Sequence, residues 1–180
     1  MSANVIETDE DISKDIFEEE KNLFEVESHV LYQKIIGSKE PQTITSKNIA
    51  IINKNDSIKT RVTHIINLLQ SQTKPVLIAG KSKAISKMLT VSELSKSTIR
   101  NDHPTIQLKQ YNKLTKQSSL NNPNYKQTNR TVKQRNNVDN FMNDASINGH
   151  KIYQLPILYI LFVPKDDSSL ELSGWTHQDN

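Results

Sequence analysis

A break in an apolar run, Gly80-Lys81-Ser82-Lys83, brings two lysines together near the middle of this 180-residue chain. It follows apolar residues 76–79 and precedes a segment of helical spacing, so a strand is predicted to pass into a helix here. The first backbone N–H groups of a helix lack intrahelical partners, and the helix dipole favours an anion at that end. Lys87 adds a third positive charge, which repels the dipole and the other lysines unless an anion is bound. We therefore predict that a phosphate group binds at this junction.

Two other interpretations of the junction have to be weighed. Gly-Lys-Ser also ends the P-loop of nucleotide hydrolases, which has the form GxxxxGK[ST]. That loop needs a glycine at position 75, where this chain has Pro75, and a single glycine is too few for a loop that wraps a triphosphate. The remaining alternative is a solvated group of lysines without a ligand, which is common on small basic proteins.

The elements that hold this junction follow from the hydrophobic pattern of residues 48–96. Two short apolar runs, residues 49–52 and 76–79, predict strands, and each is followed by a helix-spaced segment. Strand, helix and strand are short enough for one right-handed crossover, so the two strands are predicted to be parallel. The turn after the first strand is polar and basic, and Asp56 or Ser57 in it can cap the first helix.

The C-terminal half is predicted to add strands on either side of a long basic loop. The patterns at 105–113, 151–164 and 170–175 predict a third, a fourth and a short last strand. Residues 117–150 are rich in Asn, Gln, Ser and Thr and hold too few apolar residues to fold alone. We predict a mobile basic arm that follows a nucleic-acid backbone. A low-complexity spacer without a function fits this composition equally well.

The N-terminal extension, residues 1–45, differs sharply in charge from the predicted domain at 46–180. Residues 1–28 hold ten acidic residues and two lysines, a net charge of −8. Because the whole chain has a net charge of +3, the remaining residues carry +11. Residues 1–12 are predicted to be disordered, and apolar residues at nearly seven-residue spacing predict an amphipathic helix over 15–36. This helix either packs on the domain's own sheet or offers a docking surface to a partner protein.

Several functions are not expected from this composition. The chain has no cysteine, and its five histidines show no metal-ligand spacing, so no metal and no cofactor are predicted. No pair of carboxylates lies in a recognisable catalytic setting, and we predict that the chain is not an enzyme. The N-terminus lacks the pattern of a signal peptide, and the longest apolar run, 157–163, is too short for a membrane span. We expect a soluble intracellular protein.

The stretch NIAIINKN…IKTRVTHIINLL…PVLIAGKSKAISKMLTVSEL resembles the Alba superfamily of nucleic-acid-binding proteins. In that family a basic turn follows the first strand, and a basic-Gly-basic-Ala-Ile-Ser sequence begins the helix after the second. Residues 81–86 fill that place here, with Ser82 where the family usually has glycine. Three further segments are similar to the Alba-like protein subunits of RNase P and RNase MRP: QYNKLTK (110–116), LPILYILFVP (155–164) and the closing SGWTHQDN.

The resemblance implies an α/β fold, a two-layer Alba-like sandwich of order β-α-β-α-β-β. Two helices would lie on a mixed four-stranded sheet, with the N-terminal helix added. It also implies a non-catalytic RNA-binding subunit that grips a helical arm of the RNase P and RNase MRP RNAs, in tRNA and rRNA processing. The subunit would act as a heterodimer with a second Alba-like protein in the nucleus and nucleolus, and telomerase RNA would be a further target.

The residues predicted to bind RNA come from three places: the basic turn with the residue before the first strand, the junction, and the long loop. They are Lys47, Lys54, Asn55, Lys59, Gly80, Lys81, Ser82, Lys83, Lys87, Lys126, Arg130, Lys133 and Arg135. Other ribonucleoprotein subunits are expected to dock on the helix at 15–36. Two rival functions stay open, a protein–protein adaptor acting through that acidic helix and an Alba protein that binds duplex DNA.

Overall fold

A computed structural model describes residues 9–37, 47–71, 74–120, 146–147, 150–164 and 170–178, with side chains of the first helix from Glu19 onward. Three helices and seven strands lie in these ranges. In chain order they are α1 (Asp9–Ile35), β1 (Ile49–Ile52), α2 (Ile58–Ser71), β2 (Val76–Lys81), α3 (Ile85–Asp102), β3 (Leu108–Ser119), β4 (Ser146–Ile147), β5 (His150–Lys151), β6 (Tyr153–Pro164) and β7 (Thr176–Gln178). A short 3-10 turn, Ser82–Ala84, joins β2 to α3.

The described strands form one mixed sheet of five, in the order β1-β2-β6-β3-β7, and a separate small pair, β4 and β5. β1 and β2 are parallel, as predicted, with α2 as the crossover between them. β6 pairs antiparallel with both β2 and β3. The predicted Alba-like α/β sandwich is confirmed. The sheet has one strand more than the four implied by the resemblance, because the short last strand, β7, pairs with β3 at Gln110, Tyr111 and Asn112.

One face of the sheet is covered by α2 and α3. Ile65 and Met88 from the two helices pack with Ile78 and Phe162 from the sheet, and all four are fully buried. Gly80 permits this close approach, because a Cβ atom there would lie 2.8 Å from the Met88 sulfur. Burial of this apolar cluster is the main stabilising contribution on this side of the domain.

The opposite face of the sheet is covered by α1. Phe24, Tyr32 and Ile35 are buried against sheet residues that include Leu77. The Tyr32 hydroxyl donates a 2.7 Å hydrogen bond to the backbone carbonyl of Pro75, which fixes the helix to the start of β2. The interpretation that the N-terminal helix packs on its own domain is therefore confirmed.

Several boundaries differ from the predictions, and three of the differences have a clear physical reason. α1 begins at Asp9 rather than at 15, so residues 9–12 are helical and not disordered. Acidic residue types, which this stretch of the sequence contains, stabilise a helix when they lie near its N-terminus. β3 continues to Ser119, three residues into the predicted loop at 117–150, because its polar residues pair with β6. The last strand is Thr176–Gln178 and not 170–175, since Leu170 and Leu172 pack as loop residues against the α1 face.

Candidate nucleic-acid interface

The junction after β2 leaves the start of α3 without a side-chain cap. β2 ends at Lys81, and the 3-10 turn leads directly into the helix at Ile85. Neither Lys81 nor Ala84, the two residues in N-cap positions, makes a side-chain hydrogen bond to the turn or helix that follows. Cap side chains normally satisfy one of the first N–H groups, so these donors can be offered to an anion instead.

Ser82 adopts a left-handed backbone conformation at this junction, with φ at +53°. Among the described non-glycine residues it alone has a positive φ. An L-residue pays about 1–2 kcal/mol for this conformation, which glycine adopts freely. The backbone therefore has a conformation typical of glycine at the position where the family that this sequence resembles usually has glycine.

Lys87 connects the start of α3 to the basic turn after β1. Its Nζ donates a 2.5 Å hydrogen bond to the backbone carbonyl of Asp56 and another to the carbonyl of Lys54. The parallel register of β1 and β2 explains this contact, because Ile52 is paired with Gly80 and both strands end at the same edge of the sheet. The two basic segments predicted from the sequence are thus neighbours in the folded chain.

Within the basic turn, the Asp56 carboxylate is used internally. Its Oδ2 accepts a 2.8 Å hydrogen bond from the Asn53 N–H and a 2.8 Å ion pair from Arg61 Nε. Burial by itself would raise the pKa of Asp56, but the Asn53 hydrogen bond, Arg61 and the charge of Lys87 outweigh it and hold the pKa below its ordinary value. The one acid of this turn is therefore matched by cations.

Two lysines and an asparagine of the turn have side chains available to a ligand. Lys54, Asn55 and Lys59 are all exposed. Ser57 accepts a 3.5 Å hydrogen bond at its Oγ from the Thr60 N–H, so it is the cap predicted for α2. One N–H at the start of α2 therefore has a side-chain partner, whereas the start of α3 has no side-chain cap.

Lys81 lies on the sheet face that α1 covers, because it is paired with Ile157 of that buried cluster. Its Nζ donates 3.3 Å hydrogen bonds to the backbone carbonyl of Glu20 and to Gln117 Oε1, and lies 5.5 Å from the centre of the Phe24 ring. Burial under α1 lowers the pKa of Lys81, and the charges of Glu20 and Glu27 partly offset this. Lys83 lies beyond the strand, in the 3-10 turn, and is exposed. The role of either lysine in binding is a prediction.

Residues 48–118 match the family model described as Alba. This match supports the Alba superfamily, and it spans β1 to β3 with the basic turn, the junction and α3. A search of curated proteins finds no match to the chain. We call residues 48–118 the Alba-like domain, and its match fits a nucleic-acid-binding role.

Not all the predicted site residues lie at the junction of the Alba-like domain. Lys47 is exposed at the start of β1, at the opposite end of the strands from the turn and the junction. The four predicted residues of the long loop fall outside the described ranges: Lys126, Arg130, Lys133 and Arg135. The structure therefore groups Lys54, Asn55, Lys59, Gly80, Ser82, Lys83 and Lys87, and separates Lys47 and Lys81 from them.

Two basic residues near the site were not among the predicted ones. Arg61, in the first turn of α2, is the ion-pair partner of Asp56 and stabilises the basic turn. Lys116 is exposed on β3, on the sheet face that carries α3. The alternation of side chains along a strand could have assigned Lys116 to that face, but the predicted strand ended at residue 113 and did not include it.

Metal ligands and membrane-spanning helices were two further features to consider among the described residues. Across those ranges no group of three or more His, Asp or Glu side chains could hold a metal ion. None of the helices in the described part of the chain combines the length and apolar character needed to cross a lipid bilayer. The arrangement is suited to holding phosphate groups by backbone N–H donors and lysine side chains.

Proposed function

We propose that the Alba-like domain binds RNA as a non-catalytic subunit of the RNase P and RNase MRP ribonucleoproteins, of the yeast Pop six type. In this role it grips a helical arm of each RNA, paired with a second Alba-like protein, and serves tRNA and rRNA processing in the nucleus and nucleolus. The observation that carries the RNA-binding proposal is the uncapped start of α3 beside Lys83, Lys87 and the turn with Lys54 and Lys59.

The contacts of this surface favour recognition of a nucleic-acid backbone. A phosphate at the junction would accept hydrogen bonds from the first N–H groups of the turn and would be attracted by the helix dipole. Lys83 and Lys59 are exposed, so each can contact a further phosphate, whereas Lys87 mainly holds the turn in place. Duplex RNA is recognised largely through its shape and backbone, which suits such a surface.

The subunit assignment depends on segments outside the junction. Residues 110–116 lie in β3, 155–164 in β6, and 173–178 include β7, so the three similar segments form neighbouring strands. Their resemblance to RNase P and RNase MRP subunits supports the proposed RNAs and the proposed Alba-like partner. Telomerase RNA is included as a further target on the same ground.

A native pull-down with sequencing of the bound RNA tests this proposal. We expect RNase P and RNase MRP RNAs to be enriched with the wild-type chain and depleted with K59A/K83A. The control is K34A/K74A, which removes the same charge from exposed lysines away from the junction. Enrichment that is equal for both double variants would remove the junction from the site.

Competition between RNA and DNA duplexes of equal length separates the proposal from a duplex DNA-binding function. The wild-type chain is expected to prefer the RNA duplex, because the proposed target is an A-form helical arm. A clear preference for DNA would make the chain a chromatin-type Alba protein and would contradict the ribonucleoprotein assignment.

A further inference from the structure

α1 carries apolar residues on two opposite faces. One face is buried in the sheet cluster through Phe24 and Tyr32, which are 4% and 2% exposed. The other points to solvent: Leu23, Val26 and Val30 are 48%, 44% and 60% exposed. A helix that only covers its own sheet needs one apolar stripe, so the second stripe, which we call the outer stripe (Leu23, Val26 and Val30), requires another explanation.

The spacing of the outer stripe is that of a helix–helix seam. Its residues follow at intervals of three and four, the spacing that keeps side chains in line along one side of a helix. In the sequence, Ile12, Ile16 and Glu19 continue the same alternation of four and three toward the N-terminus. Single exposed apolar residues are normal on protein surfaces, but a regular row of this kind is typical of a coiled-coil interface.

The charges beside the outer stripe define the partner. Glu19 is exposed at the next position of the row toward the N-terminus, Glu27 is exposed beside the row, and residues 1–28 carry a net −8. Two copies of this helix placed together would bring two acidic segments into contact, which is unfavourable. A helix with lysine or arginine beside its apolar residues would instead be attracted, as charged residues that flank the seam of a coiled coil select its partner.

We propose that the outer stripe of α1 binds an amphipathic helix of another protein, one whose apolar seam is flanked by basic residues. The stripe lies on the outside of the helix that covers the sheet, whereas the junction lies with α2 and α3 on the opposite face. A partner helix and an RNA can therefore be bound at the same time. The inference stands independently of the proposed RNA-binding function.

Binding of designed peptides to the full chain, followed by fluorescence anisotropy, tests the proposal. The first peptide is about three heptads long, with leucine at the seam positions and lysine at the flanking ones, so that its own charge keeps it monomeric. The second has glutamate at the flanking positions. We expect the lysine-flanked peptide to bind more tightly by about tenfold or more, and to lose this advantage as salt is raised.

Matched variants locate the binding surface. L23Q/V30Q should weaken binding of the lysine-flanked peptide by about tenfold or more. L89Q/L94Q is the control, since it makes the same change at residues of α3 that are 44% and 46% exposed. E19Q/E27Q should lower the affinity and flatten its salt dependence. All three pairs lie on the surface, so thermal unfolding should show that each variant is folded.

Three outcomes would overturn the proposal. One is equal affinity for the two peptides, and the second is an affinity that L23Q/V30Q leaves unchanged. The third is self-association of the wild-type chain, seen by sedimentation, that L23Q/V30Q abolishes, because the occupant would then be a second copy. RNA affinity of L23Q/V30Q should equal that of the wild type, which keeps this test separate from that of the junction.

Discussion

At the scale of single residues, two lysines two positions apart have different surroundings. Lys81 is the last residue of β2 and points under α1, whereas Lys83 lies in the 3-10 turn and is exposed. The sequence showed that the two lysines are close together, but it did not show that one is half-buried under α1 and the other exposed. Which face a strand residue takes depends on the register with β6 and on what covers each face, and neither is a local property.

Replacing each of these lysines by methionine separates their roles in RNA binding. K83M should weaken binding to duplex RNA and reduce the slope of log affinity against log salt by about 1, as expected for one lost phosphate contact. K81M should leave affinity and slope unchanged, because Lys81 is already held by Glu20 and Gln117. Filter binding over a salt series measures both. Equal losses in the two variants would mean that α1 moves away when RNA binds.

Ser82 is expected to carry backbone strain that glycine would relieve. S82G should raise the free energy of unfolding by about 0.5–1 kcal/mol, because the relief of a left-handed serine exceeds the entropy that glycine adds to the unfolded chain. S82A is the control and should not stabilise the domain. Urea denaturation followed by circular dichroism measures both, and a destabilised S82G would show that the serine hydroxyl contributes more than the strain costs.

Asp56 should make the free energy of unfolding depend on pH in the acidic range. Its pKa is lower in the folded chain than its ordinary value of 3.8, so the charged carboxylate contributes stability that is fully present above that pH. This contribution is lost as the pH falls from 3.8 through the lower folded pKa. The difference in unfolding free energy between wild type and D56N should therefore be constant near neutral pH and shrink below about pH 4. A difference that grows on acidification would contradict the Asp56–Arg61 contact.

At the scale of secondary structure, the elements with strong local periodicity were predictable. β1 has the predicted bounds, and α2 lies where its apolar spacing placed it. The ends of β3 and β7 were not predictable, because the polar residues of these strands are held by pairing with distant strands rather than by a hydrophobic pattern. For α1, the near-heptad spacing predicted a helix but could not say which of its two stripes faced the sheet.

Adjacent residues of α1 test its orientation. F24A should lower the free energy of unfolding by about 3 kcal/mol or more, because the ring is buried against the sheet. L23A, one residue away and 48% exposed, should change it by no more than about 0.5 kcal/mol. Chemical denaturation of the full chain measures both values. The reverse order would mean that α1 sits on the sheet by its other face.

The same packing makes the N-terminal helix part of the folded core. Removal of residues 1–40 would discriminate an adaptor from an RNA binder only if the remaining domain stayed folded. Phe24, Tyr32 and Ile35 would leave the buried cluster, and the sheet face with Leu77 and Leu161 would be exposed to water. Surface substitutions on the outer stripe are therefore the cleaner way to separate the two functions.

At the scale of the whole molecule, the acidic helix and the proposed phosphate-binding surface lie on different sides of one sheet. The acidic helix covers one face, and the basic junction and turn lie at the edge of the α2 and α3 face. Composition predicted the division into an acidic arm and a basic body, and the match to Alba over 48–118 fits the basic part. Of the two roles that the sequence left open for the N-terminal helix, packing on the domain is the one observed, and α1 completes the core because the sheet has two apolar faces to bury.

The salt dependence of RNA affinity is the most direct test of phosphate binding at the junction and turn. K59A/K83A removes two exposed lysines from this surface, and K34A/K74A removes two from elsewhere. We expect the wild type and K34A/K74A to share a steep slope of log affinity against log salt, and K59A/K83A to have a slope smaller by about 2. Identical slopes for all three proteins would contradict phosphate binding at this surface.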